Sequence, residues 1–192
     1  MYTLIGMICV FLSVLVHELG HALVTKRFGW QPHIVLYFFG GFATTTRHSP
    51  WKNITVTAAG PLAGLAFYFV VKYGITYALE QGYQPNEYVA VAVGFLLFAN
   101  LLWSLMNLIP VFPLDGGQIV RELLTMNSPR NGEKWSMLSS MVAAAIVVAL
   151  AAMAIRNHTG LLGLEPRFMA IMFAILGVQN FQMYDSMYRR RW

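Results

Sequence analysis

The sequence predicts an all-α polytopic membrane bundle of about five to six transmembrane helices, with a small membrane-associated β-hairpin after the first. Three observations carry this expectation. Of 192 residues, 57% are hydrophobic and only 11% are charged, whereas about a quarter of a soluble domain is charged. The apolar residues lie in runs of roughly twenty positions, the length that crosses a hydrocarbon core of ~30 Å. The basic residues fall in the connections and at the C-terminal end, where lipid head groups meet them. A net charge of +5 distributed in that way is a topology signal, so the lipid bilayer is the expected partner and nucleic acid is not. The spans form one bundle, a single domain over residues 1–192.

The first span runs from about Thr3 to Val24 and is closed by Lys26 and Arg27. It carries the motif described below, so it is expected to be retained rather than cleaved as a signal peptide. Cys9, the one cysteine, reads as a small core or lipid-facing residue. The connection that follows is mixed. Ile34-Val35-Leu36-Tyr37-Phe38-Phe39 is β-prone, Gly40-Gly41 breaks it, and Phe42-Ala43-Thr44-Thr45-Thr46 is β-prone again. Six apolar residues are too few to span, so a hairpin dipping into the membrane beside the bundle is expected.

The second span covers about Ile54 to Leu79 and contains Ala59-Gly60-Pro61-Leu62-Ala63-Gly64, with small residues spaced for close helix packing. Lys72 within it either snorkels outward or faces the bundle. The third span is about Tyr88 to Leu108. Two prolines and two glycines in the stretch Asn107 to Gly117 then end the helix and force a turn. A short helix is expected from Gln118 to Leu124, a polar loop from Thr125 to Lys134, and further spans from Trp135 to Ile155 and from Phe168 to Tyr184. The closing Arg189-Arg190-Arg191 is a topology anchor.

Charge asymmetry sets the expected orientation. Lys26, Arg27, Arg47 and Lys52 follow the first span, while Glu80 and Glu87 follow the second. The positive-inside rule then puts the N-terminus outside and the C-terminus in the cytoplasm of a bacterial cell. At 1.5 Å per residue counted from Lys26, His21 lies about 7 Å and His17 about 13 Å inside the cytoplasmic end of the first span. The Asp115 segment emerges on the same side.

The chemistry centres on His17-Glu18-Leu19-Gly20-His21. On a helix, positions i and i+4 share a face, so both imidazoles can reach one metal ion. Zinc accepts two neutral histidines and then needs further N or O ligands plus an open position. Glu18, beside the first ligand, is placed as a general base. Ionisable groups in an apolar run are expensive and usually functional. Two histidines leave the site incomplete. Among the acids, Glu165 and Asp185 sit near charged connections and Glu122 lies in the short polar helix, whereas Asp115 stands between an apolar turn and two glycines, suited to a third ligand. Asn107 is suited either to donating a hydrogen bond to a carbonyl or oxyanion or to capping its helix before Pro110.

These residues resemble the site-2 protease family of intramembrane zinc metalloproteases. The likeness rests on His17-Glu18-x-x-His21 in one span and Asn107-x-x-Pro110-x-x-Pro113-Leu114-Asp115-Gly116-Gly117 in a later one, supported by Gly40-Gly41 and by Ala59 to Gly64. The resemblance implies one zinc ion held by His17, His21 and Asp115, with Glu18 as general base. It implies that Asn107 helps bind substrate and that the stretch around Gly40, Gly41, Phe42 and Ala43 pairs with an unwound substrate segment. The substrate class implied is a single-span membrane protein. The chain resembles the minimal form of the family, with room for neither a PDZ nor a CBS domain. The alternative is a membrane metal transporter or metal-binding protein using the same ligands; such a protein has no need of a base at Glu18. A zincin domain merely tethered by helices is disfavoured, because the motif lies within the span.

Overall fold

The computed structural model describes residues 1–31, 49–160 and 163–189. The elements among them are α-helices: α1 Tyr2–Arg27, α2 Pro50–Glu80, α3 Glu87–Asn107, α4 Asp115–Asn127, α5 Gly132–Arg156 and α6 Pro166–Arg189. The hairpin expected over Ile34 to Thr46, with Gly40, Gly41, Phe42 and Ala43, lies outside the described residues. The all-α expectation agrees with what is described; the count of five to six spans does not. Among the described residues four helices, α1, α2, α3 and α5, are long and apolar enough to cross a membrane. The last expected span falls in α6, whose 24 residues suffice in length. Gln179, Asn180, Gln182 and Asp185 dilute its apolar run.

The helices are patterned inside out. Gly6, Cys9, Ser13, His17 and Gly20 form the buried stripe of α1 at spacings of three and four, while Leu4, Met7, Ile8 and Phe11 are exposed. In α5 the buried stripe includes Ser136, Ser140, Ala144, Ala151 and Ala154, and Val142, Ile146, Leu150 and Met153 face out. Small and polar residues inside with large apolar ones outside is the arrangement suited to lipid, where helices associate through close packing and hydrogen bonds.

The helices group into two compact units. One comprises α1, α3 and α2 from Thr55 onward. Here α1 packs on α3: Gly6 admits the Phe95 ring, a Cβ there standing only 3.0 Å from it, and Asn100 Nδ2 donates to Ser13 Oγ at 2.8 Å. Glycines bring α2 close. Gly20 of α1 lies on the Ala59 carbonyl, and Gly64 of α2 lies on Ser104 of α3. Lys72 is exposed, its Nζ 5.8 Å from the centre of the Tyr68 ring one turn earlier, so it takes the outward course.

The second unit holds the first turn of α2 together with α4, α5 and α6. α5 packs along α6 and α4 on α5. Gly132 sits against the backbone of Leu124 and Thr125, Arg121 pairs with Glu133, and Asn53 Nδ2 donates to Glu122 Oε1 at 3.1 Å. One boundary corrects the sequence reading: α4 begins at Asp115, not Gln118, with Leu114 as its cap. Gly116 and Gly117 therefore belong to a helical first turn. Their task is close approach, because a Cβ on Gly116 would strike the Leu108 carbonyl and one on Gly117 the Phe112 amide.

Candidate metal centre

His17 is buried and His21 half-buried, on the internal face of α1. Their Nε2 atoms lie 3.2 Å apart, with ring centroids 4.8 Å apart and planes at 85°. Two nitrogens each 2.0–2.1 Å from a tetrahedral zinc stand about 3.3 Å apart, so the pair has the spacing of two ligands of one ion. His21 Nδ1 lies 2.8 Å from the Val56 carbonyl oxygen of α2. A carbonyl only accepts, so Nδ1 carries the proton and Nε2 turns its lone pair towards His17. A metal-ligating histidine is oriented in this way by its other nitrogen. Gly60 completes the seat: a Cβ there would collide with the imidazole of His21. The residues of this unit thus fit a zinc ion through two nitrogens at ligand spacing, that of His21 oriented by Val56. Glu18, half-buried, follows His17 by one residue, or about 100° around the helix.

In the second unit Asp115 is buried at 7% exposure and opens α4, where the positive helix end favours a carboxylate. The non-helical stretch before it is braced from several sides. Leu114 N donates to the Val111 carbonyl at 2.9 Å, and Gln118 Nε2 donates to the Pro113 carbonyl at 2.9 Å. The Phe112–Pro113 peptide is cis. Phe112 N donates to Ser140 Oγ at 3.1 Å, and its carbonyl accepts from Asn180 Nδ2 at 2.6 Å. Asn107 ends α3 and donates one amide hydrogen back to the Trp103 carbonyl at 2.9 Å, which leaves a second amide hydrogen. Two of the other acids are engaged elsewhere, Glu122 with Asn53 and Glu165 with Arg167 at 3.8 Å. Sequence reasoning missed Val56, Ser140 and Asn180 and read Gly60 mainly as a packing residue. Only Asn180 carried a visible signal, an amide in an apolar run.

One membrane-length helix, α1, presents two imidazoles to one point, an arrangement that can hold a metal ion. The chain belongs to Peptidase family M50, whose family model matches residues 5–93 and 74–150, in agreement with the site-2 protease resemblance. A protein of Synechocystis sp. is 37% identical over 124 residues, 63% of this chain and 31% of the relative. A zinc metalloprotease of Methanocaldococcus jannaschii is 33% identical over 119 residues, 62% of this chain and 34% of that protein. The chain thus spans about a third of the length of these relatives. A site-2 protease from Methanocaldococcus jannaschii of known structure shares the fold, with a TM-score of 0.59 at 24% identity, over 94% of this chain and 77% of its own.

Proposed function

We propose that the protein is an intramembrane zinc endopeptidase that hydrolyses a peptide bond within or near the transmembrane segment of a single-span membrane protein, close to the cytoplasmic face. The observation that carries this reading is the His17–His21 pair at 3.2 Å between Nε2 atoms, oriented by Val56. His17, His21 and Asp115 would hold one zinc ion. When bound, zinc supplies Lewis acidity, polarising a carbonyl and bringing the pKa of water towards neutrality. Glu18 takes a proton from the attacking water and returns it to the leaving amine. The remaining amide hydrogen of Asn107 is available to a substrate carbonyl. The Gly40-Gly41-Phe42-Ala43 stretch offers an edge to a locally unwound substrate, whose lost helix bonds are offset by extended pairing.

The orientation proposed has the N-terminus outside and the C-terminus in the cytoplasm, with α6 as a fifth crossing. Its exposed stripe of Phe168, Ile171, Ile175, Val178 and Phe181 supports that course.

The test is reconstitution with zinc and tagged single-span proteins bearing small residues near the cytoplasmic face. Two fragments should appear, vanish with a chelator and return with added zinc. Failure to cut any of a broad panel, with zinc moving across the vesicles instead, would select the transporter.

A further inference from the structure

We propose that Ser140 of α5 and Asn180 of α6 are positioning residues for the metal centre: together they clamp the Phe112 backbone and so fix where Asp115 is presented. The proposal rests on the reading of Asp115 as a ligand.

The residues between α3 and α4 are not helical, yet Val111 and Phe112 among them are buried. Buried backbone N–H and C=O groups need partners, because no water reaches them. At Phe112 both groups are met by side chains from two different helices. Ser140 Oγ accepts from the amide at 3.1 Å, and Asn180 Nδ2 donates to the carbonyl at 2.6 Å. Both side chains are sealed, Ser140 at 1% and Asn180 at 0% exposure. Asn180 Nδ2 also donates to the Leu176 carbonyl one turn back, at 2.7 Å. The amide is thereby held to its own helix while it grips the loop.

A clamp on Phe112 is transmitted to Asp115 because the two intervening residues, Pro113 and Leu114, have little slack. Leu114 is tied back to Val111, and Pro113 is tied forward to Gln118 in the first turn of α4. Gly117 presses its Cα against the Phe112 amide, where even a methyl group would clash. Displacing Phe112 thus displaces the start of α4. Metal ligation tolerates distance errors of only about 0.2 Å, so a small displacement at Asp115 is felt in affinity. The α5–α6 pair acts as a rigid post that carries the third ligand through one peptide.

The experiment uses the 192-residue chain, purified in detergent, with zinc affinity read by chelator competition and ligand geometry by the visible spectrum after cobalt substitution. Asn180→Leu keeps the branched outline with bulkier methyl groups and removes the donor; Ser140→Ala removes the acceptor; Ser140→Thr retains a hydroxyl. Asn180→Leu and Ser140→Ala should each weaken zinc binding about 10–100-fold, the usual effect of losing an outer partner, and alter the cobalt bands. Ser140→Thr should stay close to the unmodified protein. If both removals lower thermal stability yet leave zinc affinity and the cobalt spectrum unchanged, the clamp is structural only and the proposal is wrong. If Asn180→Leu does not fold, the Ser140→Ala and Ser140→Thr pair decides: equal zinc binding by both overturns the proposal. Asp115→Ala separates the underlying reading. Unchanged zinc affinity in that variant removes Asp115 as a ligand, whereas a loss there with none in the clamp variants leaves the ligand standing and removes the clamp.

Discussion

The imidazole of His21 lies directly over the Cα of Gly60, with no room for a Cβ between them. The same imidazole holds the Val56 carbonyl one turn earlier on α2 through Nδ1. Backbone on one side and a hydrogen bond on the other therefore set the angle at which Nε2 faces His17.

Gly60→Ala should push the ring off its seat and break the Val56 bond. Zinc affinity should fall about 10–100-fold, as for other lost outer-sphere contacts. Gly64→Ala is the comparator, because its Cβ would meet Ser104 and not a ligand. It should cost stability and leave zinc affinity near that of the unmodified chain. Chelator competition on the two purified variants distinguishes these outcomes, and equal zinc binding by both would remove the proposed seat.

The metal content follows from the donor set. The purified chain should hold about one zinc, and His17→Ala or Asp115→Ala should lower occupancy, since removing one of the three proposed ligands leaves a site that zinc does not fill well. Elemental analysis after dialysis against a weak chelator measures this. Full occupancy in His17→Ala would place the metal elsewhere.

The sequence makes the helices legible because each apolar run is close to the length of its helix. α1, expected over Thr3 to Val24, spans Tyr2–Arg27; α5, expected over Trp135 to Ile155, spans Gly132–Arg156. The helical i, i+4 spacing also makes the His17–His21 face legible without any tertiary information. What stayed hidden is non-local. Gly116 and Gly117 look like turn residues until the backbone they press against is known. The role of Ser140 depends on an amide 28 positions away, and that of Asn180 on a carbonyl 68 positions away. The Val56 carbonyl leaves no trace in the sequence at all, because every residue carries one. The polar residues of α6 that dilute its hydropathy include Asn180, whose amide meets the Phe112 carbonyl.

Orientation gives an independent prediction. Cys9 is the single native thiol, so Cys9→Ala supplies a clean background for single cysteines. An impermeant thiol reagent added outside should label Gln84→Cys, in the connection after α2, and should not label Ser186→Cys near the end of α6. Labelling of Ser186→Cys alone would invert the topology and move the cut to the external side.

In the proposed mechanism Glu18 moves protons beside a metal held by His17 and His21. Glu18→Gln keeps size and shape and removes the basic carboxylate, so zinc content and helicity should be preserved. Cleavage of a tagged single-span substrate in proteoliposomes should fall by about 10²–10⁴ or more, the usual contribution of a general base. Fragment yield over time, measured alongside zinc content in both proteins, is the direct test. Zinc retained with cleavage lost is the result expected. Cleavage by Glu18→Gln at the unmodified rate, with zinc equally bound, would contradict the account.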